Sequence, residues 1–184
     1  MNSIDFLVML MARYRRARVA GGTYFFTVVT ERRQRLLVLP EVRAALRAAI
    51  ESVRMTRPFE INGWVLLPDH LHAIWILPPD DADFATRWRL IKSHVTRQCA
   101  FLFNPDLQTR NRATKHCGTL WQHRYWEHLL RDEADLRRHL DYLHGNPVKH
   151  GLVQRVADWP WSSIHRYVAQ GGYQSNTAIE PQNG

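Results

Sequence analysis

Lysine is scarce in this chain. Lys92, Lys115 and Lys149 are the only lysines among 25 basic residues, and all the others are arginine. Acidic residues are also few, 17 in all, which leaves a formal charge of +8. That balance argues against a basic ligand and for a polyanionic one, nucleic acid ahead of a membrane surface. The preference for arginine points the same way, because a planar guanidinium can grip a phosphate through two parallel hydrogen bonds.

Cysteine is nearly absent. Cys99 and Cys117 match neither a zinc pattern nor a redox pair, so a disulfide scaffold is excluded and both read as reduced thiols of a cytoplasmic protein. No apolar run is long enough to cross a bilayer. Ile4 to Met11 is apolar, but Arg13, Arg15, Arg16 and Arg18 follow it, whereas a secretory signal carries its charges first. We read Met1–Leu10 as an upstream extension with Met11 the natural start, and residues 1–18 as a basic N-terminal extension. Repeats and interdomain linkers are lacking too, so the 184 residues read as one domain with a loose tail over 171–184.

What is present is a regular series of elements. Thr23 to Thr30 is aromatic and β-branched, which suits a strand. Pro40 to Arg54 has proline at a helix start and apolar residues at helical spacing, with Arg57-Pro58 ending it. Phe59 to Leu67 and His70 to Leu77 read as strands on either side of Pro68-Asp69, a pair suited to a tight turn. Phe84 to Phe103 reads as a helix with Trp88, Ile91, Val95, Cys99 and Leu102 on one face. Arg87, Arg89, Lys92, His94 and Arg97 mostly face away, a solvated face that could track a phosphate backbone. Trp121 to Leu130 is a fourth strand. A third helix begins at Asp132 and stops at Gly145-Asn146-Pro147. Asp158 to Val168 forms one or two helical turns.

The order β-α-β-β-α-β predicts an α+β, ferredoxin-like sandwich with an antiparallel sheet, helices on one face, and a further C-terminal helix. On the second hairpin strand, alternation sends His70 and His72 to one face and Leu71 and Ala73 to the other. Two imidazoles side by side on a rigid strand are half of a metal site, or a hydrogen-bonded pair on a half-exposed strand. The third helix carries Tyr142 and Asn146 four residues apart on one face. Taken alone, the first reads as a rim tyrosine and the second as helix-stop chemistry.

His70-Leu71-His72 resembles the His-hydrophobe-His signature of HUH single-strand DNA endonucleases. Asp141 to Val153 (DYLHGNPVKHGLV) resembles the tyrosine-bearing helix of single-tyrosine transposases. With FEINGWVLLPDHLHAIW, WQHRYWEH and DWPWSSIHRY, the stretch from Tyr14 to Tyr167 resembles the REP-associated tyrosine transposases. These are domesticated relatives that act on palindromic repeats. The resemblance implies that His70, His72 and Asn146 hold Mg²⁺ or Mn²⁺ and that Tyr142 is the nucleophile. It implies cleavage and rejoining of single-stranded or hairpin DNA through a 5′-phosphotyrosine link, by a monomer or homodimer.

The residue types suit that chemistry. A tyrosine hydroxyl ionises only near pH ~10, so attack needs a polarised phosphate and good orientation. Two neutral imidazoles and an amide leave coordination positions open for phosphate oxygens. Arg13, Arg15, Arg16, Arg18, Arg87, Arg89, Lys92 and Arg97 would contact DNA. Trp88, Trp121, Trp126 and Trp161 are candidates for base stacking. Two other functions fit the same residues: a non-catalytic nucleic-acid-binding module, and a His-x-His metal hydrolase acting on a small substrate.

Overall fold

The computed structural model of the chain describes residues 18–102 and 120–173. Arg13, Arg15 and Arg16, Cys117 and the end of the C-terminal tail lie outside the described residues. Among the described residues, four strands and four α-helices follow one another in the expected order. They are β1 (Thr23–Val29), α1 (Pro40–Thr56), β2 (Glu60–Leu66), β3 (His70–Ile76), α2 (Phe84–Gln98), β4 (Trp126–Leu130), α3 (Glu133–Lys149) and α4 (Ile164–Ala169). The strands form one sheet in the order β2-β3-β1-β4, antiparallel throughout. This is the ferredoxin-like arrangement that the element order predicts.

Alternation on β1 and β3 divides the core between the two sheet faces. Tyr24, Phe26 and Val28 join Leu71, Ala73 and Trp75 on one face, under the apolar stripes of α1 and α2. Trp75 and Trp88 stack there at 4.2 Å with only 15° between their planes. The opposite face carries Phe25, Val65 and Ile74 and is covered by Leu140 and Leu143 of α3 together with Trp159. The sheet is therefore not left open on its second face. The tyrosine-bearing helix closes part of it, and the paired histidines lie beneath that helix.

A bulge between Ile61 and Gly63 lets α3 approach β2 closely. A Cβ on Gly63 would sit 3.0 Å from Leu140 Cδ2, so the bare backbone is what α3 packs against.

Three boundaries differ from expectation. The fourth strand starts at Trp126, because Trp121 makes only an isolated bridge to Thr30 and the paired register with β1 begins at Trp126. Helix α2 ends at Gln98, short of Phe103. Most consequential, α3 does not stop at Gly145-Asn146-Pro147. It runs on to Lys149, with Leu143 through Pro147 buried. Burial of that stretch outweighs the local stop signal. The stop is at Gly151, whose φ is +65°. Its N–H donates to Val148 and that of Leu152 to Pro147, both at 2.9 Å, which is the paired bonding of a Schellman cap.

Residues 161–163 run along the outer edge of β2. Leu66 N donates to Trp161 O at 2.9 Å and Ser163 N to Trp64 O at 2.8 Å, so an otherwise open sheet edge is covered. His144 of α3 is tied to the same segment, its Nε2 2.8 Å from Ser163 Oγ.

Candidate active site

The Pro68-Asp69 turn is closed by Leu67 N donating to His70 O at 2.9 Å, and it is laced to the loop after β1. Thr30 N donates to Asp69 O at 2.9 Å and Leu37 N to Pro68 O at 2.9 Å. A rigid turn thus launches β3, and His70 and His72 emerge on the same face with ring centroids 5.0 Å apart. Both rings are buried, at 5% and 3% exposure.

Each ring is held through Nδ1. His70 Nδ1 donates to Asp69 Oδ1 at 2.7 Å, and Asp69 Oδ2 in turn accepts from Arg33 Nη1 at 3.0 Å. His72 Nδ1 lies 2.9 Å from Thr27 Oγ1 on the neighbouring strand. Bonding at Nδ1 leaves Nε2 of each imidazole available as a ligand. Burial pushes both imidazoles toward the neutral form, strongly for His72 and less so for His70, where Asp69 opposes it. Burial raises the Asp69 carboxyl, but the bonds from His70 and Arg33 outweigh it and hold that group below the usual carboxylate range.

Helix α3 brings Tyr142 and Asn146 over this pair. The Tyr142 ring sits edge-on to His72 at 5.3 Å between centroids and is 40% exposed, so its hydroxyl has access to solvent. Asn146 is 1% exposed, and its side chain is close enough to His72 to favour the protonated ring. Yet His72 Nε2 and Asn146 Oδ1 are both buried without a hydrogen-bond partner. Leaving buried polar atoms unpaired is costly, and an imidazole nitrogen and an amide oxygen are both atoms that can ligate a divalent cation.

Several neighbours of the site escaped the sequence reading. Lys149 Nζ lies over the Tyr142 ring, 5.3 Å from its centroid. His150 caps α3 with its ring 5.1 Å from that of His70. Both were hidden by the expected helix stop, since only a helix that continues past Pro147 carries them to the site. Phe25 stacks on His72 at 5.3 Å and also touches His139 and Tyr142.

His128, Asp135 and His139 form a second cluster, on β4 and the first turns of α3, with ligand-type atoms within 4.8 Å of one another. Its carboxylate is already occupied. Asp135 is 2% exposed and accepts from His128 Nε2 at 3.1 Å, Arg131 Nε at 3.4 Å and Arg138 Nη2 at 3.0 Å. Those bonds pin the start of the tyrosine helix to the sheet.

The expected DNA-contacting residues are scattered. Arg87 is a correction: it is buried, not on an open basic face. Its guanidinium donates to Asp81 at 2.7 Å and to the carbonyls of Arg57, Pro58 and Asp83 at 3.2, 2.7 and 2.9 Å. Arg89 and Arg97 are exposed, but α2 lies across the sheet from the histidines. Lys92 is half-buried and donates to Gln122 O at 2.7 Å. Arg18 is exposed at the start of the described chain. Of the four tryptophans, Trp88 and Trp121 are core, while Trp126 and Trp161 are half-buried. Trp126 is on the site's side of the sheet, 5.7 Å from Phe25.

A single tyrosine over a His-x-His pair, on an antiparallel ferredoxin-like sheet, defines the single-tyrosine class of HUH transposases. No family model matches the chain. It is 45% identical over 163 residues to the REP-associated tyrosine transposase of Escherichia coli (strain K12), which covers 89% of this chain and 88% of that protein. The fold matches a solved structure of a REP-associated tyrosine transposase bound to a REP hairpin, with a TM-score of 0.79, 44% identity and 94% of each chain covered. The chain belongs to the REP-associated tyrosine transposases.

Proposed function

We propose that this protein cleaves and rejoins single-stranded DNA at palindromic hairpin repeats, with Tyr142 as nucleophile and His70, His72 and Asn146 holding Mg²⁺ or Mn²⁺. The observation that carries this reading is that His72 Nε2 and Asn146 Oδ1, two atoms able to ligate a cation, are buried and unpartnered beside an exposed tyrosine. A bound divalent cation would polarise the phosphate and offset its charge.

The remaining steps belong to the chain. Tyr142 Oη attacks phosphorus, the Oη–P bond forms and the P–O3′ bond breaks. The tyrosine proton is lost to solvent, and the released 3′-oxygen takes one up. Attack by the free 3′-hydroxyl reverses the reaction without ATP, because the phosphotyrosine ester conserves the bond. A tyrosine carried on a helix pinned at its start by Asp135 is well oriented for such a step. Nucleoid-associated action in the cytoplasm fits a DNA substrate. Among the described residues no helix is long and apolar enough to cross a membrane.

The test is incubation of the purified protein with an end-labelled hairpin and Mn²⁺, followed by a denaturing gel. A slow-migrating labelled protein band is the expected result. Released fragments without that band would mean a water-using hydrolase, and intact DNA a binding module.

A further inference from the structure

A cleft of about 180 Å³ opens beside His70, and Tyr142 is not among the residues that line it. Arg33, Arg35 and His150 line it together with Pro68 and Asp69 of the hairpin turn. The side chain of Arg33 is 61% exposed although it pairs with Asp69. Arg35 is exposed and makes no ion pair with any described residue. The loop that presents both arginines is fixed and strained. Arg32 and Arg33 have φ of +53° and +52°, in a region that such residues seldom occupy. Thr30 Oγ1 lies 2.8 Å from the carbonyls of both Gln34 and Asp69, which binds the loop to the turn. A strained loop that aims guanidinium groups into a cleft is built for an anion, and bidentate contact suits a phosphate.

The cleft's place relative to the nucleophile says which phosphate. Successive ring contacts run from Tyr142 to His72 at 5.3 Å, to His70 at 5.0 Å and to His150 at 5.1 Å. Both elements that carry these rings run the same course. Passing along α3 from Tyr142 to His150 covers about 12 Å at ~1.5 Å per residue, while β3 is traversed from His72 back to His70. In an in-line displacement the leaving oxygen departs opposite the nucleophile. With phosphorus held at the histidines and attacked from the Tyr142 side, the 3′-oxygen leaves toward the cleft.

We propose that the cleft of Arg33, Arg35 and His150 binds the phosphodiester immediately 5′ of the cleaved bond and so retains the strand that ends in the free 3′-hydroxyl. The proposal rests on the nicking and rejoining reaction inferred above. Retention would matter most for rejoining, because a strand that diffuses away cannot attack the phosphotyrosine.

The test uses the full chain and hairpin oligonucleotides in which one phosphate at a time is replaced by a neutral methylphosphonate around the cleaved bond. Arg35 is the residue to vary, because among the described residues no hydrogen bond or ion pair ties it to His70, His150 or Asp69. Neutralising the phosphate just 5′ of the bond should weaken wild-type binding and slow rejoining about tenfold, the worth of one charge-assisted hydrogen bond. Arg35→Ala should show the same weakening on unmodified DNA and almost none beyond it on that one modified substrate. Arg35→Lys should restore part of it. If no position couples to Arg35, or the coupled position lies on the 5′-phosphate side, the cleft has another role. The covalent band distinguishes the two failures. A band without coupling overturns the cleft alone, whereas no band with any substrate overturns the reaction and the cleft together.

Discussion

Asn146 Nδ2 donates to the carbonyl of Tyr142 at 2.9 Å, so the tyrosine's own backbone fixes the amide whose oxygen faces His72. The proposed nucleophile and third ligand are thereby one structural unit on one turn of helix. A shift of that turn moves both, and changes at either residue are separable only by what is measured.

Tyr142→Phe removes a hydroxyl that makes no hydrogen bond to any described residue. The variant should form no covalent DNA adduct while binding a labelled hairpin as the wild type does. Tyr125 and Tyr167 cannot easily substitute. One packs in the core beside Trp88, and the other donates to Asn62 Oδ1 at 2.8 Å. An adduct from the purified variant would mean that the assignment of the nucleophile is wrong.

Metal dependence should grade with ligand strength. His72→Ala should abolish cleavage at any practical Mn²⁺ concentration. Asn146→Ala removes a neutral, weaker ligand and should raise the Mn²⁺ needed for half-maximal cleavage without abolishing it. Asp69→Asn keeps the hydrogen-bonding shape around His70 but removes its charge, and should weaken metal affinity by roughly 10- to 100-fold, as outer-shell changes do. Titration calorimetry with Mn²⁺ reads this without an activity assay. Equal affinity in wild type and Asp69→Asn would count against a metal at His70.

The arginines should separate into two kinds. Replacing Arg13, Arg15, Arg16 and Arg18 by alanine should flatten the log–log salt dependence of single-strand binding by roughly 0.7 for each phosphate no longer neutralised. Arg87→Ala should leave that slope alone and instead destabilise the fold by about 3 kcal/mol, because Asp81 and three carbonyls are deprived of a buried donor. Salt titrations and denaturant melts on the same two variants check both halves.

Acid should loosen the tyrosine helix. Burial alone would raise the Asp135 carboxyl, but hydrogen bonds from His128 and Arg131 outweigh it, and the group titrates well below its ordinary value of 3.8. A carboxyl depressed on folding binds fewer protons in the native than in the unfolded state. Its contribution is present above the unfolded value and is lost as pH falls through the folded one. Asp135→Asn should therefore be less stable than wild type at pH 7, and the difference should shrink as pH drops below about 4. A constant difference in melting temperature from pH 7 to pH 3 would show that the carboxylate's charge is not what holds the helix.

What local sequence determines here is what repeats along one element. The alternation on β1 and β3, the apolar stripe of α1, the Pro68-Asp69 turn and the common face of His70 and His72 all follow from periods of two and 3.6 residues. Those rules place the histidines under the sheet's second face before any contact is known. Only tertiary packing decided the rest. Gly145-Asn146-Pro147 reads locally as a stop, yet burial against the sheet carries the helix on to Lys149 and brings His150 beside His70. Arg87 reads as one of a row of solvated basic residues, yet the loop carbonyls of Arg57 and Pro58, far away in the chain, claim its guanidinium. Asp69, Thr27 and Arg33 orient the histidines from the turn and from the strand and loop beside them, and no spacing in the sequence announces it. Asp69 is His70's neighbour in the chain, but Thr27 and Arg33 lie far from the groups they hold, so the energy of those contacts enters only once the sheet has formed.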